Sequence, residues 1–150
     1  MRISFDLDET LICHHESAPV ELGFLPSFLQ KKLTEPLRLG AKLLFQQLRE
    51  HGHEVWIYTT SSRTPMQIRW WLLLHGIRVD GIVNDKRHRT AIRGRRFERS
   101  PSKYPPAFGI DLHVDDSEGV RMEGEQCGFR VLVIQPGDED WVTKVTALAL

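Results

Sequence analysis

Two carboxylates, Asp6 and Asp8, stand two residues apart directly after an apolar run that begins at Ile3. Residues i and i+2 of an extended backbone point to the same side, so both side chains would share one site. Two carboxylates that close repel each other unless a cation or a shared proton offsets their charge. Mg²⁺, a hard cation that prefers oxygen ligands, suits such a pair. The alternative is an acidic turn that closes an edge strand.

Two further polar clusters follow apolar runs later in the chain. Thr59 and Thr60 come after the run that ends at Tyr58, and Asp115 and Asp116 come after another short run. In parallel α/β sheets, functional groups collect beyond the carboxyl ends of the strands. Three clusters of carboxylates and hydroxyls at such positions therefore predict one shared site.

Alternating strand and helix patterns predict the elements that position these groups. The predicted strands are Ile3–Leu7, Val55–Tyr58, Val79–Val83, Leu112–Val114 and Phe129–Ile134. Helices are predicted from Glu35-Pro36 to Gly52, from Thr64-Pro65 to His75, over Arg121–Gln126, and over Trp141–Leu150 with Asp138 or Asp140 as the cap. Cys13–Leu33 is expected to be a loop or flap with a short helix at Ser27–Leu33. This alternation predicts right-handed βαβ units and a mostly parallel sheet.

Four short motifs in this order resemble those of the haloacid dehalogenase-like (HAD) phosphohydrolase superfamily. They are Asp6-Leu7-Asp8-Glu9-Thr10, Tyr58-Thr59, a lysine, and Asp115-Asp116. The resemblance extends from Ile3 to Asp116. It implies an α/β, Rossmann-like three-layer sandwich with a mostly parallel five-stranded sheet, and a Mg²⁺-dependent phosphatase. The spacing leaves no room for a cap domain, so we expect a single catalytic domain over residues 1–150 with an open site.

The resemblance also implies roles for the residues of the first two motifs. Asp6 corresponds to the nucleophile that forms an aspartyl-phosphate, a known form of covalent catalysis by carboxylates. Asp8 corresponds to the general acid and base and meets the metal through its backbone carbonyl. Thr59 corresponds to the hydroxyl that binds a phosphoryl oxygen, with Thr60 as the alternative.

The last two motifs supply the remaining metal ligands and a cation. Asp115 and Asp116 would hold Mg²⁺ together with Asp6, Asp116 through water or by orienting the other ligands. Lys103 corresponds to the lysine because it shortly precedes the last motif, although Lys86 and several arginines compete for this role.

The segment from Lys86 to Arg99 is strongly basic, with seven lysines and arginines against Glu98 alone. Such a run is usually a solvated loop or hairpin. The functional alternative is a positive rim that attracts a phosphorylated substrate, either a small molecule or an accessible phosphate on a macromolecule. Nucleic acid is possible but not favoured, because the chain as a whole is neutral and carries no nucleic-acid-binding motif.

Composition narrows the remaining choices. Hydrophobic residues make up 41% of the 150 residues, charged residues make up 27%, and no apolar stretch could span a membrane. The two cysteines match no zinc or redox spacing and the N-terminus does not resemble a signal peptide, so we expect a cytoplasmic protein. A phospho-accepting signalling domain and a non-catalytic phosphate-binding domain remain as alternatives to an enzyme.

Several other residues have predictions of their own. Trp70 and Trp71 are expected in the core. His14 and His15 are expected in an exposed loop, possible neighbours of the substrate entrance, and His113 is expected to pack in support of Asp115. Cys13 and Cys127 are expected to be buried small side chains.

Overall fold

A five-stranded parallel sheet forms the centre of the protein, whose computed structural model describes residues 1–15, 18–23, 25–29 and 35–150. The strands are β1 (Arg2–Phe5), β2 (Glu54–Tyr58), β3 (Gly81–Val83), β4 (Leu112–Asp115) and β5 (Val131–Val133). Their order is β3-β2-β1-β4-β5, and every pairing is parallel. The predicted α/β, Rossmann-like class is confirmed.

Among the described residues, five α-helices of eight to ten residues connect and flank the strands. They are α1 (Ala41–Glu50), α2 (Pro65–Leu74), α3 (Asp85–Ile92), α4 (Glu118–Cys127) and α5 (Trp141–Ala149), with a short 3-10 helix at Pro105–Phe108. None of the helices in the described ranges is long and apolar enough to cross a membrane. Residues 27–29 are helical, whereas the rest of the helix predicted at Ser27–Leu33 lies outside the described residues.

The side chains of β2 show how the sheet separates two hydrophobic clusters. Val55 and Ile57 belong to the large core cluster, which also receives apolar side chains of α1, α2 and α5. Trp56 and Tyr58 belong to a smaller cluster with Val83. Since successive side chains of a strand point to opposite faces, the two clusters lie on the two faces of the sheet. Burial on both faces explains why the strands are almost entirely apolar.

Local chemistry defines the helix after β2. Thr64 accepts a hydrogen bond from the Gln67 N–H, and the Gln67 side chain accepts one from the Thr64 N–H, which completes a capping box. Pro65 occupies the first helical position, as predicted. Trp71 packs against the core, but the prediction for Trp70 is wrong, because its side chain is 60% exposed.

Two other predictions of secondary structure are also wrong. The helix expected from Pro36 begins only at Ala41, because Gly40 has a φ of 91° and the preceding segment is tied to the Leu11 carbonyl through the Arg38 N–H. The first half of the basic run is not a loop or hairpin. It forms α3, which begins because the Asn84 side chain accepts a hydrogen bond from the Arg87 N–H.

Candidate functional site

The carboxyl edge of the sheet brings together the polar residues that follow β1, β2 and β4. Phe5 pairs with Ile57 on one side and with Val114 on the other, so the residues after these three strands lie side by side. The Asp6 N–H donates to the Val114 carbonyl at 2.9 Å. The predicted juxtaposition of Asp6 and Asp115 therefore follows from strand register.

Lys103 joins these two carboxylates. Its Nζ lies 2.8 Å from Asp6 Oδ1 and 2.5 Å from Asp115 Oδ2, and the side chain is only 3% exposed. Burial alone would lower the pKa of Lys103, but the adjacent Asp6 and Asp115 carboxylates raise it above its ordinary value. The ammonium is therefore charged and offsets part of the negative charge of the carboxylates.

His113 contacts the same oxygen of Asp115 as Lys103 does. His113 Nε2 lies 2.8 Å from Asp115 Oδ2, and Nδ1 lies 2.8 Å from Ser4 Oγ. Burial lowers the pKa of His113, so the neutral ring can donate from Nε2 and accept the Ser4 hydroxyl proton at Nδ1. Burial would raise the pKa of Asp115, but hydrogen bonds from His113 and Lys103 lower it well below the ordinary value. His113 thus hydrogen-bonds Asp115 rather than merely packing beside it.

Asp116 completes a group of three carboxylates. One oxygen each from Asp6, Asp115 and Asp116 can lie within 4.8 Å of the others. Burial raises the pKa of Asp6 and of Asp116, and the charge of Asp115 raises both further. Closely spaced hard oxygen donors that disfavour each other's ionisation are a suitable ligand set for a divalent cation such as Mg²⁺. We call Asp6, Lys103, His113, Asp115 and Asp116 the inner cluster.

Asp8 does not share this site through its side chain, contrary to the prediction from strand spacing. The chain leaves the strand after Phe5 and turns, so that the N–H groups of Leu11 and Ile12 both donate to the Leu7 carbonyl. The i, i+2 rule applies only to extended backbone. The Asp8 carboxylate is consequently 43% exposed and lies apart from the three clustered carboxylates.

Asp8 instead forms a second polar group with Arg63, His14 and Glu35. Arg63 holds the carboxylate with two contacts, Nη1 to Oδ2 at 3.0 Å and Nη2 to Oδ1 at 3.2 Å. The same guanidinium contacts Glu35 Oε1 at 2.9 Å, and His14 Nε2 lies 3.2 Å from Asp8 Oδ1. Although partial burial opposes the effect, hydrogen bonds from Arg63 and His14 lower the pKa of Asp8. We call these four residues the outer cluster.

Arg63 and Glu35 are the members of the site that sequence reasoning missed. Arg63 lies in the hydroxyl-rich turn after β2, only four residues beyond Thr59, and this position at the functional edge is the signal that could have indicated it. His14 is exposed, as expected, but it also contacts Asp8.

The two threonines after β2 have different environments. Thr59 is buried, and its Oγ1 accepts a hydrogen bond from the Ser61 N–H at 3.0 Å. A hydroxyl that accepts in this way can still donate its proton to an incoming oxygen. Thr60 is exposed. Thr59 is therefore the better placed of the two to contact a ligand at the inner cluster.

Contacts on both sides of Lys103 hold its backbone in place. Ser102 donates to Glu123 Oε2 of α4 through its N–H at 3.0 Å and through its hydroxyl at 2.7 Å. The Tyr104 N–H donates to the Tyr58 hydroxyl of β2 at 2.8 Å, and this hydroxyl lies 2.6 Å from His88 Nδ1. The lysine thus comes from a loop whose neighbouring residues are tied to a helix and to a strand.

Cys13 is buried, as expected, whereas Cys127 is only half-buried. Burial raises the pKa of both thiols, and Cys13 Sγ lies near the Pro136 carbonyl at 3.9 Å. A raised pKa disfavours the reactive thiolate, so neither side chain has the character of a nucleophile.

Comparison with known proteins shows similarity of fold. No protein-family model and no curated protein matches the sequence. Among solved structures, a chain of the Pnkp1/Rnl/Hen1 complex is similar with a TM-score of 0.59 and 14% identity, over 91% of this chain and 46% of that chain. A predicted HAD-like family hydrolase from Porphyromonas gingivalis is similar with a TM-score of 0.50 and 13% identity, over 98% and 96% of the two chains. This chain therefore spans about half the length of the first.

Proposed function

We propose that the protein is a Mg²⁺-dependent phosphomonoester hydrolase in which Asp6 is the nucleophile. The observation that carries this proposal is the inner cluster: a buried carboxylate beside a buried lysine, with three carboxylate oxygens within 4.8 Å. A transferring phosphoryl group spreads negative charge over its oxygens, so its transition state needs cations and donors on several sides. The similarity in fold to a predicted HAD-like hydrolase supports the same class of reaction.

In the first step, an Asp6 oxygen attacks phosphorus and the bond to the leaving oxygen breaks. Asp8, in its protonated form, gives its proton to that oxygen, and the product is an aspartyl-phosphate with a free alcohol. In the second step, Asp8 takes a proton from water as the water attacks phosphorus, which releases phosphate and restores Asp6. Lys103 and Thr59 stabilise the charge on the phosphoryl oxygens.

The carboxylates of the inner cluster suit Mg²⁺. Asp6, Asp115 and Asp116 would hold the ion with the Asp8 backbone carbonyl. When bound, the ion supplies positive charge beside the phosphoryl oxygens and reduces the repulsion between the nucleophile and the substrate. Lys103 supplies a second positive charge at Asp6 from within the protein.

Access and a fixed position support Asp8 of the outer cluster as the proton-transfer group, and its lowered pKa favours the base form that the second step needs. Asp8 is partly exposed, so water and a leaving alcohol can reach it, while Arg63 and His14 fix its position. A protonated Asp8 forms a weaker contact with Arg63 than the carboxylate does, so the contact strengthens when Asp8 gives its proton to the leaving oxygen. It loosens when Asp8 takes a proton from water in the second step.

An open site fits the substrates that we propose. We propose that no cap domain covers the site, so both small phosphate esters and accessible phosphates on macromolecules could reach Asp6. We propose that the protein acts on such a substrate in the cytoplasm.

Hydrolysis of an aryl phosphate tests the reaction. Activity should require Mg²⁺, disappear when EDTA is added, and fall at least 10³-fold in Asp6→Asn, which keeps the size of the side chain but removes the nucleophile. Asp140→Asn is a matched control, because this exposed aspartate makes no side-chain cap bond. Full activity of Asp6→Asn, or no hydrolysis of any phosphate ester by the wild type, would refute the proposal.

Acid-quenched reactions distinguish an enzyme from the two alternatives. A hydrolase should show a phosphoprotein that forms and decays within the turnover time. A phosphoprotein that persists for hours would instead indicate a phospho-accepting signalling domain. Absence of both phosphoprotein and product across a broad panel of phosphate esters would indicate a non-catalytic binding protein.

A further inference from the structure

Charge is unevenly distributed along this neutral chain. The segment 86–99 carries seven lysines and arginines and one glutamate, a net charge of +6, so the rest of the chain carries −6. A basic segment on an otherwise acidic molecule creates a local field that attracts polyanions, whatever the net charge. The proposed hydrolase does not by itself require this segment, because every member of the inner and outer clusters lies outside it.

The arginines of this segment fall into two groups. Arg87, Arg89 and Arg95 contact the protein itself: Arg87 Nη1 donates to the Ile82 carbonyl at 2.6 Å, Arg89 pairs with Asp85, and Arg95 Nε donates to the Ala91 carbonyl at 3.2 Å. Arg93, Arg96 and Arg99 are exposed, and within the described parts of the chain none of their guanidiniums has a hydrogen bond or an ion pair. Three unpaired arginines within seven residues are available to a ligand.

Two of these arginines line an open groove. Arg96 and Arg99, together with Phe97, Tyr104, Gln126 and Cys127, surround a volume of about 740 Å³, and Glu98 is the one carboxylate in its lining among the described residues. A smaller hollow of about 190 Å³ continues the groove past Arg99 toward Ser100. We call Arg93, Arg96, Arg99, Phe97 and Tyr104 the basic surface.

The basic surface also contains aromatic rings. Phe97 and Tyr104 are both half-buried, and their ring centroids lie 5.0 Å apart with the planes at 74°. The Arg95 guanidinium lies 5.4 Å from the centroid of the Tyr104 ring. Aromatic side chains beside arginines, in a positively charged groove, are the usual composition of surfaces that bind single-stranded nucleic acids by base stacking and phosphate contacts.

The loop that carries the basic surface continues into the inner cluster. Tyr104 lines the groove, and the preceding residue, Lys103, contacts Asp6. Arg99 is four residues from Lys103, so the two backbones lie within about 14 Å of each other. A strand bound at Arg99 therefore has only a short distance to span to Lys103, the residue that contacts Asp6.

The composition favours nucleic acid over an acidic protein as the ligand. Six of the seven cations in the segment are arginines, whose planar guanidinium matches the oxygens of a phosphate with two parallel hydrogen bonds. The half-buried rings can stack on unpaired bases, and an acidic peptide has no bases. We propose that the basic surface binds single-stranded nucleic acid and that a terminal phosphate of this strand is the substrate. The second part rests on the proposed hydrolase activity, whereas the first does not.

Binding is measured by the fluorescence anisotropy of a labelled single-stranded 12-mer at several salt concentrations, first without Mg²⁺. The test variant is Arg96→Gln with Arg99→Gln. Its control is Arg78→Gln with Arg130→Gln, which removes the same charge from two other exposed arginines without side-chain partners in the described structure. We expect the test variant to bind at least tenfold more weakly, and the slope of log K against log salt to fall by about 1.4 for two lost phosphate contacts. The control variant should bind within about twofold of the wild type.

The substrate is tested by comparing 12-mers that carry a 3′ or a 5′ phosphate with an aryl phosphate, in Mg²⁺. In the test variant, the ratio of kcat/KM for the oligonucleotide to that for the aryl phosphate should fall at least tenfold. The proposal would be overturned if the wild type did not bind the 12-mer at low salt or if both variants lost affinity equally. Preference for an acidic phosphopeptide would also overturn it. Tight binding without hydrolysis of any phosphate ester would refute the hydrolase and the substrate assignment, but not the nucleic-acid-binding surface.

Discussion

The inner and outer clusters arise from carboxylates two residues apart, yet they differ in almost every physical property. Asp6 is buried beside a buried lysine, whereas Asp8 is partly exposed beside a partly exposed arginine. Burial raises the pKa of Asp6, while hydrogen bonds from Arg63 and His14 lower that of Asp8. A single turn after β1 therefore separates two environments that the sequence places side by side.

The difference corresponds to the two tasks of the proposed reaction. Charged groups that stabilise a phosphoryl transition state act most strongly where water is excluded and the groups are already fixed in place. Proton transfer to a leaving group needs access and contacts that can change in strength as the proton moves. We therefore expect substitutions in the inner cluster to change both stability and activity, and substitutions in the outer cluster to change activity almost alone.

Lys103→Met should have the largest effect. It removes the positive charge between Asp6 and Asp115 and leaves two buried carboxylates facing each other, at a cost of about 3 kcal/mol in the free energy of unfolding. Hydrolysis should also fall about 10²- to 10³-fold, because a donor to the phosphoryl group is lost. Urea denaturation and aryl phosphate kinetics measure the two effects. A fully stable Lys103→Met protein would contradict the description of the inner cluster as a charge-balanced buried group.

Asp8→Asn should show how the two clusters differ, because we expect it to lower activity with little change in stability. The amide cannot carry the proton, so kcat should fall about 10²- to 10⁴-fold. The exposed ion pair with Arg63 is worth at most about 1 kcal/mol, so the free energy of unfolding should change little. Kinetics and urea denaturation on the same preparation measure kcat and the free energy of unfolding. A loss of stability as large as that of Lys103→Met would abolish the distinction between the clusters.

Arg63→Gln should have a smaller effect on activity. The shorter neutral side chain cannot hold both Asp8 oxygens, so the carboxylate is less well positioned, and kcat should fall by less than the ~10²-fold that a 1 Å misplacement costs. KM for the aryl phosphate should change little if Arg63 positions Asp8 rather than binding substrate. Arg63→Lys should restore part of kcat, and Arg69→Gln, an exposed arginine of α2, is the control. A rise in KM without a fall in kcat would assign Arg63 to substrate binding instead.

His75→Phe should have the smallest effect, and only on stability. His75 lies beneath the outer cluster with Nε2 3.3 Å from the Glu35 carbonyl, and its buried Nδ1 has no partner in the described structure. Burial lowers its pKa below the ordinary 6.5, so below pH 6.5 the unfolded chain binds a proton that the folded protein excludes. Wild-type stability should therefore fall as the pH falls through this range.

In His75→Phe, the part of that loss between pH 7 and pH 5.5 that comes from His75 should disappear. The dependence that remains should come in part from His88 and His113, whose pKa values burial also lowers. Urea denaturation at several pH values measures the difference. The same pH dependence in His75→Phe and wild type would show that His75 takes up its proton in the folded protein.

Sequence reasoning predicted the parts of the site that depend on strand order and burial. Apolar runs followed by Asp6, Thr59 and Asp115 were sufficient, because parallel strands place their carboxyl ends at one edge. The position of Lys103 followed from a resemblance rather than from pattern. Its contact with Asp6 depends on hydrogen bonds to Glu123 and Tyr58, neither of which sequence spacing indicates.

The predictions that were wrong or missed depend on local backbone geometry and on contacts between residues far apart in the sequence. The strand that was expected to reach Leu7 ends at Phe5, which separates Asp8 from Asp6. The Arg63–Asp8 pair joins residues 55 positions apart, which no local period reveals. The exposure of Trp70 depends on which face of α2 meets the sheet, and the continuous apolar run Trp70–Leu74 of this helix does not determine that face.

The two ties on either side of Lys103 have a consequence for how this chain can vary. Ser102 and Tyr104 fix the lysine independently of the segment that precedes it. Changes of charge at the exposed Arg93, Arg96 and Arg99 should therefore leave the ammonium beside Asp6. Such an arrangement would allow the proposed recognition surface to change while the residues of the inner cluster keep their positions.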